Sequence, residues 1–216
     1  MKNLTVLFAA AVAGFAGVVC AEETVLESPA MRIRFADAEK GFAISRVENR
    51  LAGDVGFVRA PGNGEGFWSV TFARQEAGTN VFARLSSGDA AEKSVVRTPD
   101  GGARFLWKGM SLPGEEGVAD VAAVVSFDAE GKSEWRLAVR NRSTRWALWR
   151  TIYPLLFGVM PEGKGDILMP AKSLGARLIR NYDSHQKTRK RFFHPSCYPS
   201  VSAYRIGDAG LYFAAH

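Results

Sequence analysis

Hydrophobic and polar residues alternate with period two along most of this chain, and that period commits it to β-strands with one buried and one wet face. Met31, Ile33 and Phe35 alternate with Arg32 and Arg34; Trp68, Val70 and Phe72 with Ser69 and Thr71. Phe105 and Trp107 alternate with Arg104 and Lys108, and Trp135, Leu137 and Val139 with Arg136 and Arg140. Turn-forming residues fall between the runs: Asp37 to Gly41, Pro99-Asp100-Gly101-Gly102, Asp128-Ala129-Glu130-Gly131 and Gly207-Asp208-Ala209-Gly210. Proline presets φ for a turn and glycine accepts positive φ, so each cluster reverses the chain. The pattern predicts hairpins pairing 31–36 with 42–48, 93–98 with 103–108, 118–127 with 133–140 and 201–206 with 211–215. Further strands are expected near 67–74, 80–85 and 147–157. No window carries a capped helical stripe, although Ala90–Lys93 has room for one turn. The expected fold class is all-β, an antiparallel β-sandwich or barrel.

The stretch 160–200 breaks the pattern. It holds Pro161, Pro170, Pro195 and Pro199 and a basic run, and reads as long ordered loops with one or two short strands, such as Gly175–Arg180. Tyr182, Phe192, Phe193 and Tyr198 give it the aromatics that disordered segments lack.

Met1–Ala21 reads as a secretory signal peptide: Lys2 precedes an apolar or small run from Leu4 to Val19, and Val19-Cys20-Ala21 ends it before Glu22-Glu23. Residues 22–216 are then one domain, expected to be secreted or periplasmic; Cys20 also admits lipoprotein processing. After cleavage no membrane partner is expected. Cys197 is the remaining cysteine, so the fold must rest on its core rather than on an internal disulfide. The net charge of +6 could suggest nucleic acid, but the basic residues alternate along strands instead of forming one stripe, and no nucleic-acid partner is expected.

Three segments carry a family likeness. Gly41-Phe42-Ala43-Ile44-Ser45-Arg46-Val47-Glu48-Asn49 resembles the early hairpin of galactose-mutarotase-like sandwiches. Trp146-x-x-Trp149-x-x-x-Tyr153-Pro154 followed by Asp166-x-Leu168-x-Pro170 and Gly175 is the second, and Gly210-Leu211-Tyr212-Phe213-Ala214-Ala215-His216 the third. In this order they resemble the N-terminal β-sandwich of bacterial glycoside-hydrolase-like proteins, distantly similar to endo-alpha-N-acetylgalactosaminidases and alpha-galactosidases. The resemblance implies a galactose-mutarotase-like supersandwich with long loops in its C-terminal third, placed before a catalytic (β/α)8 barrel. It implies a carbohydrate ligand and packing of this domain on that barrel. The chain ends on an apolar strand, which is expected of the leading part of a longer protein.

Glycoside hydrolysis uses two carboxyl groups roughly 5–10 Å apart. Glu48, Asp120, Glu134 and Asp183 lie outside turns, but the first three fit a solvated sheet face. Asp183 with His185 and His194 could form an acid–base set, as could a zinc triad of His185, His194 and His216, only if folding brought them together. No catalytic residue, cofactor or metal is therefore assigned. The run His185-Gln186-Lys187-Thr188-Arg189-Lys190-Arg191 is either a solvated loop or a contact for an anion such as a sulfated or uronic sugar. Flat rings stack on the C–H faces of sugars. Trp68, Trp107 and Trp135 are in phase with the core, whereas Trp146 and Trp149 must point to opposite faces of a strand. The expected sugar-contacting residues are Trp149, Tyr182, Asp183, His185, His194 and Tyr198. The leading expectation is an accessory sandwich of an exported glycoside hydrolase. The alternatives are a free-standing carbohydrate-binding module, which requires an exposed aromatic pair on one sheet face, and an envelope interaction module without sugar contact.

Overall fold

The computed structural model describes residues 23–62, 64–158, 164–170, 176–183 and 201–214, and among them every regular element is a β-strand. The expected signal peptide lies outside the described residues. Among the described residues no helix is long and apolar enough to cross a membrane. The fold is all-β, and every strand pairing in it is antiparallel.

The described residues form four sheets. The leading sheet runs β1 (Thr24–Glu27), β2 (Met31–Phe35), β3 (Ile44–Asn49) and β4 (Val55–Gly56) in sequence order. The central strand of a three-stranded sheet is β5 (Ser69–Glu76), flanked by β6 (Thr79–Ser86) and, from farther along the chain, β11 (Ala147–Ile152). The long sheet runs β7 (Glu92–Arg97), β8 (Ala103–Leu112), β9 (Glu115–Phe127) and β10 (Ser133–Asn141). The trailing sheet has the order β13, β12, β14, β15, formed by Ala176–Asp183, Lys164–Pro170, Val201–Ile206 and Ala209–Ala214 respectively.

The four expected hairpins form, with Ile33 opposite Val47, Val95 opposite Phe105, Leu137 opposite Ala123 and Tyr204 opposite Leu211. The structure departs from expectation in several places: β11 stops at Ile152 short of the expected 157, and β15 begins at Ala209, inside the expected Gly207–Gly210 turn. Glu92 already opens β7, so Ala90–Lys93 forms no helical turn. Within 160–200, β12 and β13 pair antiparallel, two strands as expected, the second over the expected Gly175–Arg180. Pro170 stands at the last position of β12, where a missing N–H removes no interior ladder bond.

The inward faces of the sheets share one aromatic core. Phe35 of β2 lies 4.7 Å from Phe105 of β8, and Trp68, just before β5, lies 5.5 Å from Trp107 of β8. Phe67 is the hub: its ring centroid is 5.3 Å from those of both Phe35 and Phe105, 5.6 Å from Trp107 and 5.4 Å from Tyr153. Edge-on and tilted pairs of this kind add about 0.5–1.5 kcal/mol each beyond their area burial. Trp68 and Trp107 are fully buried and Trp135 packs against the same cluster, as their phase required.

The hub is held by its backbone as well. The Phe67 N–H donates to Ser87 Oγ at 2.8 Å, and its carbonyl accepts the Leu155 N–H at 2.9 Å. Ser87 is fully buried between two glycines. A Cβ on Gly66, or on Gly41 (φ 63°), would stand 2.6 Å from Ser87 Oγ, closer than side chains tolerate. Gly41 also offers its carbonyl to Trp107 Nε1 at 3.3 Å. Ser87→Ala is expected to cost about 1–3 kcal/mol, because it strands a buried N–H. Gly41→Ala is expected to cost about 2–5 kcal/mol, because overpacking adds to left-handed strain. Urea midpoints read both losses, and wild-type midpoints in either variant would contradict this account.

Candidate functional site

The outward face of the three-stranded sheet carries two large rings that the core does not use. In β6, Val81, Ala83 and Leu85 point inward, which turns Phe82 outward with Asn80 and Arg84. In β11, the register against β5 shifts between Leu148 and Arg150, so Trp149 is an inserted residue. A bulge re-aims the side chain it inserts. Trp149 is 64% exposed and Phe82 53% exposed, and their ring centroids stand 5.7 Å apart at 64°.

The register supplies the floor beneath them. Ala73 of β5 is opposite Phe82 on one side and Ala147 on the other, and it is only 9% exposed although it faces outward. A small residue between two large ones leaves a shallow, apolar bed. One row along, Thr71 lies opposite Arg84 of β6 and Arg150 of β11. One row the other way, Gln75 is opposite Asn80, and both are exposed. Arg84 Nε donates to Ser69 Oγ at 2.6 Å, which fixes that guanidinium over the sheet. A flat ring pair bordered by hydroxyl, amide and guanidinium groups can stack on a sugar face and bond its hydroxyls.

Trp146 shows why its neighbour three residues on is free. It is 2% exposed, the Arg74 guanidinium lies 4.7 Å over its ring, and its carbonyl accepts Asn141 Nδ2 at 2.6 Å. Of the two tryptophans read from the sequence, the core takes Trp146 and leaves Trp149 outside. Tyr182 and Asp183 lie at the end of β13, opposite Gly165 and Lys164 in the trailing sheet, away from the sheet of Trp149. His185, His194 and Tyr198, with the basic run around them, lie outside the described residues. Phe82 was missed; its signal was a large ring out of phase with Val81, Ala83 and Leu85.

The candidate acids have structural partners. Glu48 is 5% exposed and meets Arg46 Nε at 2.8 Å, Arg32 at 3.3 Å and Arg34 at 3.5 Å. Glu134 pairs with Arg136 at 3.2 Å. Asp120 accepts two bonds from Arg142, one at 2.9 Å, and the Gly109 N–H at 3.1 Å. Beside the Glu48 cluster a cavity of about 370 Å³ opens between Glu23, Arg34, Arg46 and Arg59. Its guanidinium groups are already matched: Arg34 to Glu23 at 3.4 Å, Arg46 to Glu48 and Arg59 to Glu65 at 2.8 Å. That compensation leaves little field for a charged ligand, unlike the face that carries Arg84 and Arg150. Among the described residues no cluster of three potential metal-ligating side chains occurs.

The Asp120 pair predicts an acid response. The bond from Arg142 holds the Asp120 carboxyl below its ordinary value of 3.8, with burial opposing and the Gly109 N–H assisting. A carboxyl lowered on folding stabilises the protein fully above its unfolded pKa and loses that contribution as pH falls through the folded one. Asp120→Asn is therefore expected to be less stable than the wild type near neutral pH, with the gap closing as pH falls below the ordinary carboxyl value of 3.8. Urea midpoints across that range test it; a gap that stays constant would contradict the pairing. No protein-family model matches the chain, and no curated protein matches it significantly.

Proposed function

We propose that this chain is a carbohydrate-binding β-sandwich module of an exported protein, with Phe82 and Trp149 as its sugar platform. The observation that carries this reading is the exposed ring pair over Ala73. A monomeric sheet face gains little from leaving two such rings in water, and rings so placed offer a flat apolar surface edged by hydrogen-bonding groups. The sandwich arrangement is supported by the amphipathic strands and the single core shared by residues of all four sheets.

The accessory role beside a glycoside hydrolase rests on the resemblance of the three segments described above and on one further surface. In the trailing sheet, Leu178, Leu168, Ala203 and Tyr212 stand opposite one another across all four strands. Leu178, Leu168 and Tyr212 are exposed, and such an apolar row suits packing against a following catalytic domain.

The test is glycan-array binding by the full chain, followed by titration of the best neutral or charged hit. Trp149→Ala is expected to weaken binding about tenfold or more, which corresponds to ~1.4 kcal/mol, while the urea midpoint stays near that of the wild type. Undiminished binding in Trp149→Ala would overturn the assignment of this face.

A further inference from the structure

The platform's border is charged with one sign. Arg84 and Arg150 flank Thr71, one on each neighbouring strand. Adjacent strands lie about 4.8 Å apart, so the two residues start about 10 Å apart and their long side chains can converge on one group above Thr71. Among the described residues neither guanidinium has an ion-pair partner; the bond to Ser69 is the contact of Arg84. Asp89, beyond the end of β6, is spent on the Ser86 N–H at 2.6 Å and the Ser86 hydroxyl at 2.9 Å. The rows of this face otherwise present Ser69, Thr71, Ala73, Gln75, Asn80 and Phe82, with no carboxylate.

The leading sheet shows what this chain does with guanidinium groups that serve structure. There Arg32, Arg34 and Arg46 converge on one carboxylate, Glu48. On the platform no described residue supplies the corresponding anion. Two like charges on one face are favoured by an anion placed between them. Arg84 is oriented through its Nε, which leaves its terminal nitrogens to fork onto carboxylate or sulfate oxygens.

We infer that the platform takes an anionic sugar, with one residue's carboxylate or sulfate bound between Arg84 and Arg150 while the pyranose stacks on Trp149. The inference rests on the carbohydrate reading above and narrows it to acidic glycans. The amide groups of Gln75 and Asn80 meet neutral hydroxyls at the opposite border.

The experiment uses the full chain on an array of neutral, uronate-bearing and sulfated glycans. The best anionic hit is then titrated against its carboxyl-reduced or desulfated counterpart, which also tells carboxylate from sulfate. The expected preference for the anionic member is about tenfold or more, falling as salt is raised. Arg150→Gln breaks no side-chain hydrogen bond among the described residues, so it is expected to fold normally and to lose that preference; Arg84→Gln should lose it too. Trp149→Ala should weaken both members alike. Equal binding of the charged and neutral members, with loss in Trp149→Ala, would overturn this inference and leave the carbohydrate reading standing. A preference that survives both arginine variants would overturn it as well. Absence of any glycan binding would overturn both readings, and so would tighter binding of single-stranded oligo-dT than of any glycan.

Discussion

Phe67 is the point on which the structure closes. Its ring touches aromatic side chains from the leading sheet, the long sheet and the segment after β11, while its N–H and carbonyl are anchored to Ser87 and Leu155. A sheet with one apolar face must cover it, and here a centre of packed rings does so together with aliphatic side chains such as Leu26, Ile33, Val70 and Val125. Rings are large and inflexible, so backbone must approach closely where they meet. That is why Ser87 is gripped by Gly41 and Gly66, positions where a methyl group has no room.

The same residue type does opposite work on the two faces of the three-stranded sheet. Inward, Val70 and Phe72 extend the core; outward, Phe82 and Trp149 lie in water over Ala73. The exposed pair contributes at most about the 0.5–1.5 kcal/mol of one aromatic contact to stability. Its geometry is set by rigid neighbours: a hairpin strand on one side and a bulged edge strand on the other. Charge follows the same division. The leading sheet balances its arginines with Glu23, Glu27 and Glu48, whereas the platform leaves Arg84 and Arg150 for an external anion.

The strands were legible because alternation is a local signal, and four hairpins could be paired from it. Pairings between distant runs were not. β11 reaches β5 from more than sixty residues away. The β5–β6 hairpin was read as two separate strands because it turns through Ala77-Gly78, where a residue with a side chain adopts φ 48° without an Asn-Gly or Asp-Gly signature. That one of Trp146 and Trp149 stays outside the core was legible from their spacing. Phe82 and the two arginines were not, since their meaning lies in cross-strand register. Tyr182 and Asp183 were grouped with Trp149 by composition, and the sheets separate them.

The central claim is that the inner tryptophans belong to the fold and Trp149 to the ligand. The most direct measurement is the indole N–H region of a nitrogen–proton correlation spectrum, recorded while an acidic oligosaccharide is titrated in. Five indole signals are expected, one for each tryptophan. The account predicts that the Trp149 signal, identified by its loss in Trp149→Ala, shifts on titration while the buried Trp68, Trp107 and Trp146 signals stay fixed. A static Trp149 signal beside moving core signals would contradict it.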